Sequence, residues 1–390
     1  MSILITEEDR KEIAHIFTNQ YNELCSLSKE YVLFLIIDIL KKSNIYSLIE
    51  SKFVSVEKIL QDLDFISKAK IPIFWMLSYL KERGFLKVKQ VDNIAHFKIS
   101  KNFPTLNPDK IISRMLKIDR NVLPSNLLLE KAAKGYPNFF QGNKTSIDIL
   151  FTSDKMKLWA EYFSNKNSGY GVYNSFSALG LLKWLPDKES IKILELGGGT
   201  GSATVFFLKE VSNRGLISKI EEYVFSDISP IMLRAGNRAI MEELRDDRMV
   251  QLKTLDFNKS FLSQNIKPDT FDVIFGVNSI HAANDLVESL ENIYSVLKLG
   301  GLLILSECVR PRKNGLLFQE LIFNLLDDYR DMELSELRPM PGFLDVKSWE
   351  RIFKKTSFRN IELLTNVDYD SKRNSLYDEQ VFAMIIKGEK

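Results

Sequence analysis

Cysteine is nearly missing from this sequence. Cys25 and Cys308 are the only two, far apart and outside any CxxC pair. That excludes a disulfide framework and argues against a structural zinc site, so no metal is expected. A long apolar run is missing as well. The longest, YVLFLII at 31–37, falls far short of the ~18–20 residues that cross a bilayer, and no membrane partner is expected. Charge of one sign is not in excess either: 53 basic and 51 acidic side chains leave a net charge of +2. Such a balance gives no support for nucleic-acid binding. The opening, MSILITEEDRKE, is acidic and polar, unlike a signal peptide. Together these absences lead to the expectation of a soluble, cytoplasmic protein.

What is present reads as two halves. At 390 residues the chain is long for one compact unit. Residues 10 to 100 carry helical spacing in EYVLFLIIDILKKSNIYSLIE, VSVEKILQDL and IPIFWMLSYLKERG. Pro72 suits a first helical turn and Gly84 a stop. FLKVKQ and AHFKIS then flank VDN as a short β-hairpin. Helices followed by a hairpin form a winged-helix pattern. A DNA-reading helix should offer Arg, Lys, Asn or Gln, whereas IPIFWMLSYL is apolar over most of its surface. The expectation is a dimerisation domain over 1–105 and a homodimer. Prolines 104, 108, 124 and 137 mark a connector with short helices over 106–165, and 166–390 forms the second domain. Within the aromatic stretch 155–185, Trp159, Phe163 and Phe176 read as helix core. Tyr170 and Tyr173, beside Gly169 and Gly171, are placed in a less regular part as candidate substrate-pocket residues.

From residue 191 onward strands and helices alternate. IKILEL, EEYVFSD, MVQLKTLD, FDVIFGVN and LLILSE are strand candidates. ATVFFLKEV, PIMLRAGNRAIMEEL, DLVESLENIYSVL and LLFQELIFNLLDDY have helical patterns. Alternation of this kind predicts an α/β fold with a parallel sheet. RNIELLTNV and QVFAMIIKG have no helix between them and are expected to pair as antiparallel neighbours.

The first of these strands runs into ILELGGGTG at 193–201, a strand-to-helix turn at the ligand-binding edge of such a sheet. Glycines there let the backbone approach a ligand closely. The dinucleotide pattern G-x-G-x-x-G would need glycine at 202, which is Ser202, and no lysine follows to make a phosphate-binding Walker loop. Asp227, ending YVFSD, is placed to accept hydrogen bonds from both hydroxyls of a ribose.

At these residues the sequence resembles the class I S-adenosylmethionine-dependent methyltransferases, whose first motif is E/D-x-G-x-G-x-G and whose second strand ends in an acid. The resemblance implies a Rossmann-like seven-stranded methyltransferase sheet behind the mainly helical N-terminal domain. It implies S-adenosyl-L-methionine as cofactor, with Glu195, Gly197, Gly199, Gly201 and Asn278 around it, Asp227 on the ribose and Asp256 near the adenine amino group. The alternative of a nicotinamide oxidoreductase is disfavoured by Ser202. A non-catalytic, regulatory partner-binding protein on the same fold stays open.

Of three histidines, His15 and His96 read as structural. His281 follows the fourth strand of the sheet, and Glu307 closes the next strand on the same edge. Neighbouring strands are ~4.8 Å apart, close enough for the carboxylate to orient the imidazole as a general base. The segment around them, NSIHAA with LKLGG downstream, is similar to the C-methyltransferase domains of polyketide synthases, where a His–Glu dyad deprotonates the acceptor carbon. No ketosynthase or carrier region lies within these residues. The first hundred residues instead resemble the N-terminal domain of small-molecule O-methyltransferases. Those enzymes follow their histidine with Asp-Trp, where Ala282 and Ala283 stand here. The expected function is methyl transfer to carbon or oxygen of a small-molecule or carrier-bound acceptor in natural-product biosynthesis.

Overall fold

The computed structural model describes residues 6–243, 249–366 and 382–390. Contacts divide the chain into two compact units. One comprises 1–22, 163–315 and 332–390, the other 23–162 and 316–331. These differ from the segments expected at 1–105, 106–165 and 166–390. The helix Glu7–Ile16 belongs with the large sheet, where the buried Asp9 carboxylate accepts both the Thr6 backbone amide at 2.8 Å and the Lys183 ammonium at 2.9 Å. Connector residues to Tyr162 belong with the helical unit, as do 316–331.

The helical unit carries β1 (Val54–Ser55), β2 (Leu86–Val91) and β3 (Ile94–Ile99) as a three-stranded sheet in the order β1-β3-β2. The expected hairpin is present, with Val91 opposite Ile94. The helix Lys70–Glu82 buries Pro72, Ile73, Trp75, Met76, Leu77, Tyr79 and Leu80 within its own unit. Most of the apolar surface read as a dimer interface is therefore core of one chain, and only Phe74, 46% exposed, points outward.

In the other unit, β4 (Ile191–Glu195), β5 (Ile220–Asp227), β6 (Val250–Thr254), β7 (Phe271–Val277), β8 (Leu297–Val309), β9 (Arg359–Thr365) and β10 (Phe382–Glu389) make one sheet in the order β6-β5-β4-β7-β8-β10-β9. The first five are parallel, and β10 runs antiparallel to both β8 and β9, as the missing helix required. Every residue of β7 is buried, as a strand covered on both faces must be. The strand order reverses between β4 and β7, which places a crevice at their carboxyl ends.

Two expectations fail locally. LLFQELIFNLLDDY is not one helix but two single turns, Glu320–Phe323 and Asp327–Arg330. Buried Glu320 accepts from Trp75 Nε1 at 3.0 Å, Tyr329 Oη at 2.9 Å and the Leu317 amide at 2.8 Å. Arg330 donates to the carbonyls of Asn324 and Leu325, both at 3.0 Å. These bonds hold the segment folded back on itself, and the carbonyls are lost to helix continuation. Conversely, Tyr170 and Tyr173 lie inside a regular helix, Ser168–Trp184. Asn167 caps it by accepting from the Gly169 amide at 3.1 Å. Gly171 serves close packing, since a Cβ there would come within 2.7 Å of the Asn165 carbonyl oxygen.

Candidate active site

β4 ends in Glu195, and the chain then turns through Gly197 and Gly199 at φ +67° and +56°, a region that costs a side-chain-bearing residue about 1–2 kcal/mol. The two glycines serve different ends. A Cβ on Gly197 would sit 2.6 Å from Ser279 Cβ, so this glycine lets the turn press against the loop after β7. A Cβ on Gly199 would meet nothing within 4 Å: it would project into open space, where a ligand can approach bare backbone. Gly201 lets the turn approach the helix Pro230–Glu243, since a Cβ there would lie 2.8 Å from the Gly236 oxygen.

A cavity of about 220 Å³ lies over the turn, with Glu195, Gly197, Gly199, Asp227, Asn278 and Tyr170 in its wall. Asp227 Oδ2 accepts the Gly199 amide at 3.0 Å and Oδ1 the Ser229 amide at 2.8 Å. Burial raises its pKa, and these two bonds oppose the rise. Each oxygen retains a lone pair, so two further donors fit. Glu195 is buried deeper. Its carboxylate accepts from Thr204 and, at 2.5 Å, from Tyr223, yet burial dominates and pushes its pKa up to about 7.

Asn278 holds φ +49°. Its amide donates to Ser306 O at 2.8 Å, its Oδ1 accepts from the Cys308 amide at 2.6 Å, and its side chain bonds Tyr170. One residue thus ties the ends of β7 and β8 to the tyrosine helix. Burial raises the Tyr170 phenol well above its ordinary value, so the hydroxyl stays neutral. Tyr173 is buried with its hydroxyl 3.4 Å from Cys308 Sγ and is not among the cavity-lining residues. Nor is Asp256. Burial raises Asp256, but its bonds from Asn258 and Lys259 outweigh that and lower its pKa.

The predicted dyad is formed. His281, on a short turn Ile280–Ala282, places Nδ1 2.7 Å from Glu307 Oε2. Glu307 Oε1 accepts the amides of Ile280 and His281 at 2.9 and 3.2 Å. Glu307 is fully buried and His281 is 7% exposed. With a carboxylate on Nδ1, the favoured neutral tautomer protonates Nδ1 and leaves Nε2 with its lone pair free to accept.

The segment after β8 closes over this pair. Phe343 lies on the imidazole with ring centroids 4.4 Å apart. Arg338 Nη2 donates to His281 O at 3.1 Å. Buried Arg310 secures the segment through the carbonyls of Phe343, Pro341 and Gly315 at 2.6, 2.8 and 2.7 Å. Sequence reasoning also missed Asn174, Met232 and Val277 in the cavity wall, because contacts distant along the chain bring them there.

The glycine turn, the open space above Gly199 and the half-satisfied Asp227 fit a ribose-bearing cofactor with a small polar tail. Residues 194–303 match the family model described as a methyltransferase domain. Highly reducing polyketide synthase 2 of Gibberella zeae is 25% identical over 267 residues, 66% of this chain and 10% of that protein. The chain thus spans about a tenth of the length of that relative. Among solved structures, the CurJ carbon methyltransferase superposes with a TM-score of 0.75 at 20% identity, covering 98% of this chain and 96% of that one. The trans-methyltransferase CalH in complex with SAH gives 0.65 at 16% identity, over 95% and 92%. At such identities the likeness establishes the fold.

Proposed function

We propose that this chain is an S-adenosylmethionine-dependent methyltransferase that methylates an acidic carbon of an acyl acceptor, with His281 as general base oriented by Glu307. The observation that carries this reading is the 2.7 Å contact between His281 Nδ1 and Glu307 Oε2, on the sheet edge that also bears the glycine turn. The cofactor would be held by the turn at Gly197 and Gly199, by Asp227 on its ribose and by Asn278 with Tyr170, and it would supply a methyl group already activated on a sulfonium. The chain's own task is then to make a nucleophile and keep it in place.

A carbon acid flanked by carbonyls is only weakly acidic. Nε2 of His281 takes its proton, and Glu307 stabilises the imidazolium that forms while preventing the ring from turning. Phe343 over the ring excludes water from one face. A carboxylate acceptor, already ionised at neutral pH, would need none of this. The similarity to polyketide-synthase segments and to a carbon methyltransferase fold favours an acyl chain presented on a carrier. We further propose that the helical unit supports a homodimer. The deciding experiment is single-turnover methylation of a 3-ketoacyl thioester, with wild type and His281→Ala compared at saturating cofactor. Equal rates, or methylation of a hydroxyl acceptor alone, would remove the carbon-acid reading.

A further inference from the structure

Asn174 is 1% exposed and lines the cavity over the glycine turn. The direction of its amide is fixed from outside that cavity. The Ser202 carbonyl can only accept, so Asn165 must present Nδ2 to it, at 2.7 Å. Asn165 Oδ1 is thereby left to accept from Asn174 Nδ2, also at 2.7 Å. Asn174 Oδ1 is then the open end of the relay. Among the described residues it has no donor, and it is not one of the unpartnered atoms sealed from the surface. Gly171 permits the arrangement, because a Cβ there would lie 2.7 Å from the Asn165 oxygen and push the asparagine away.

Glu195 offers a second such oxygen. Its Oε2 takes both Thr204 and Tyr223. Its Oε1 has no donor among the described residues and is not sealed off either. With Asp227 assigned to a ribose, these two oxygens are the acceptors in the wall still open to a ligand. The described residues lining the cavity include two carboxylates, Glu195 and Asp227, and no lysine, arginine or histidine. Such a wall asks for a positively charged donor. An ammonium group suits it, since it carries three N–H bonds and no acceptor, and its bond to a carboxylate is of the strong, charge-assisted kind.

We propose that Asn174 is a cofactor-binding residue whose Oδ1, held in direction by Asn165, accepts the α-ammonium of the methionine tail beside Glu195. This rests on the reading of the cavity as the S-adenosylmethionine site. Asn165 does not line the cavity, so it is a positioning residue that acts through Asn174.

The test is titration calorimetry on the full chain with two ligands. One is S-adenosylhomocysteine. The other is 5′-S-(3-carboxypropyl)-5′-thioadenosine, the same molecule without its amino group. Wild type should prefer the first about 10–100-fold, as hydrogen bonds to a charged group imply. In Asn174→Ala that preference should fall about tenfold, through weaker binding of S-adenosylhomocysteine alone. Asn165→Ala should lower it by a smaller factor, because the Asn174 amide can then turn its Nδ2 to the ammonium. This second variant leaves the cavity wall intact and decides the matter if Asn174→Ala does not fold. An unchanged preference in either folded variant overturns the proposal. So does a parallel loss of both ligands, which would mean that the asparagines only shape the cavity. Equal binding of the two ligands by wild type would show that the ammonium is not recognised and would overturn it as well. Failure of wild type to bind S-adenosylhomocysteine at all would instead remove the parent reading, and this inference with it.

Discussion

Glu307 grips His281 twice, through the ring nitrogen at 2.7 Å and through the backbone amide at 3.2 Å. The carboxylate therefore sets both where the turn sits and which way its imidazole faces. His281→Ala should lower single-turnover methylation by about 10²–10⁴-fold, with S-adenosylhomocysteine affinity unchanged by titration calorimetry. Glu307→Gln should cost less, because an acceptor for Nδ1–H remains while the charge is lost. A wild-type rate in His281→Ala would make the pair structural.

Gly197→Ala and Gly199→Ala should separate stability from binding. The first adds a Cβ 2.6 Å from Ser279 in a left-handed conformation, and should cost about 2 kcal/mol or more in urea unfolding. The second meets open space, so it should cost only about 1 kcal/mol but weaken cofactor binding at least as much as Gly197→Ala does. The reverse order would contradict the assignment of the cavity.

Asp227→Asn should weaken S-adenosylhomocysteine binding about 10–100-fold, as expected when hydrogen bonds to a charged acceptor worth about 1.5–3 kcal/mol are degraded. The fold should remain, since asparagine can still accept from Gly199. Binding of wild-type strength would place the ribose elsewhere.

Glu195 makes a pH signature. Burial pushes its pKa from 4.5 up to about 7, so between those values the native state holds a proton that the unfolded chain has released. Its contribution to stability is full below about pH 4.5 and declines as pH rises through 7. The loss relative to Glu195→Gln should reach about 3 kcal/mol by pH 8. Parallel stability-versus-pH curves for the two proteins would refute the assignment.

Light scattering on the full chain should report a dimer. Phe53, Phe74, Val91 and Ile94, between 39% and 46% exposed in the helical unit, supply apolar surface that the core does not use. A monomer at micromolar concentration would end the proposal, as would salt-dependent binding to duplex DNA.

The sheet, the glycine turn, Asp227 and the dyad were legible because each is written locally, as a period-two run, a cluster of glycines or an acid at a strand end. The helix through Tyr170 and Tyr173 was not. Gly169 and Gly171 read as breakers, while the Asn167 cap and the close approach of Asn165 that make them helical depend on the preceding loop. Arg310 and Arg338 carry no local pattern that singles them out. Their burial arises from backbone carbonyls tens of residues away, and no periodicity reports that. The division into units escaped for the same reason, since residues 316–331 join the helical unit through Glu320 and its donors Trp75 and Tyr329.

The pairing of β10 with β8 sets an order of events. Met384 lies opposite Glu307 in the register, so the strand that carries the dyad's carboxylate remains a sheet edge until residues 382–389 dock beside it. Such pairing between distant segments forms late, after the entropy of closing a long loop has been overcome. During synthesis, the glycine turn and β4 to β7 can assemble on the emerging chain well before β8 gains its second neighbour. Cofactor affinity should accordingly mature ahead of catalytic competence as this chain leaves the ribosome.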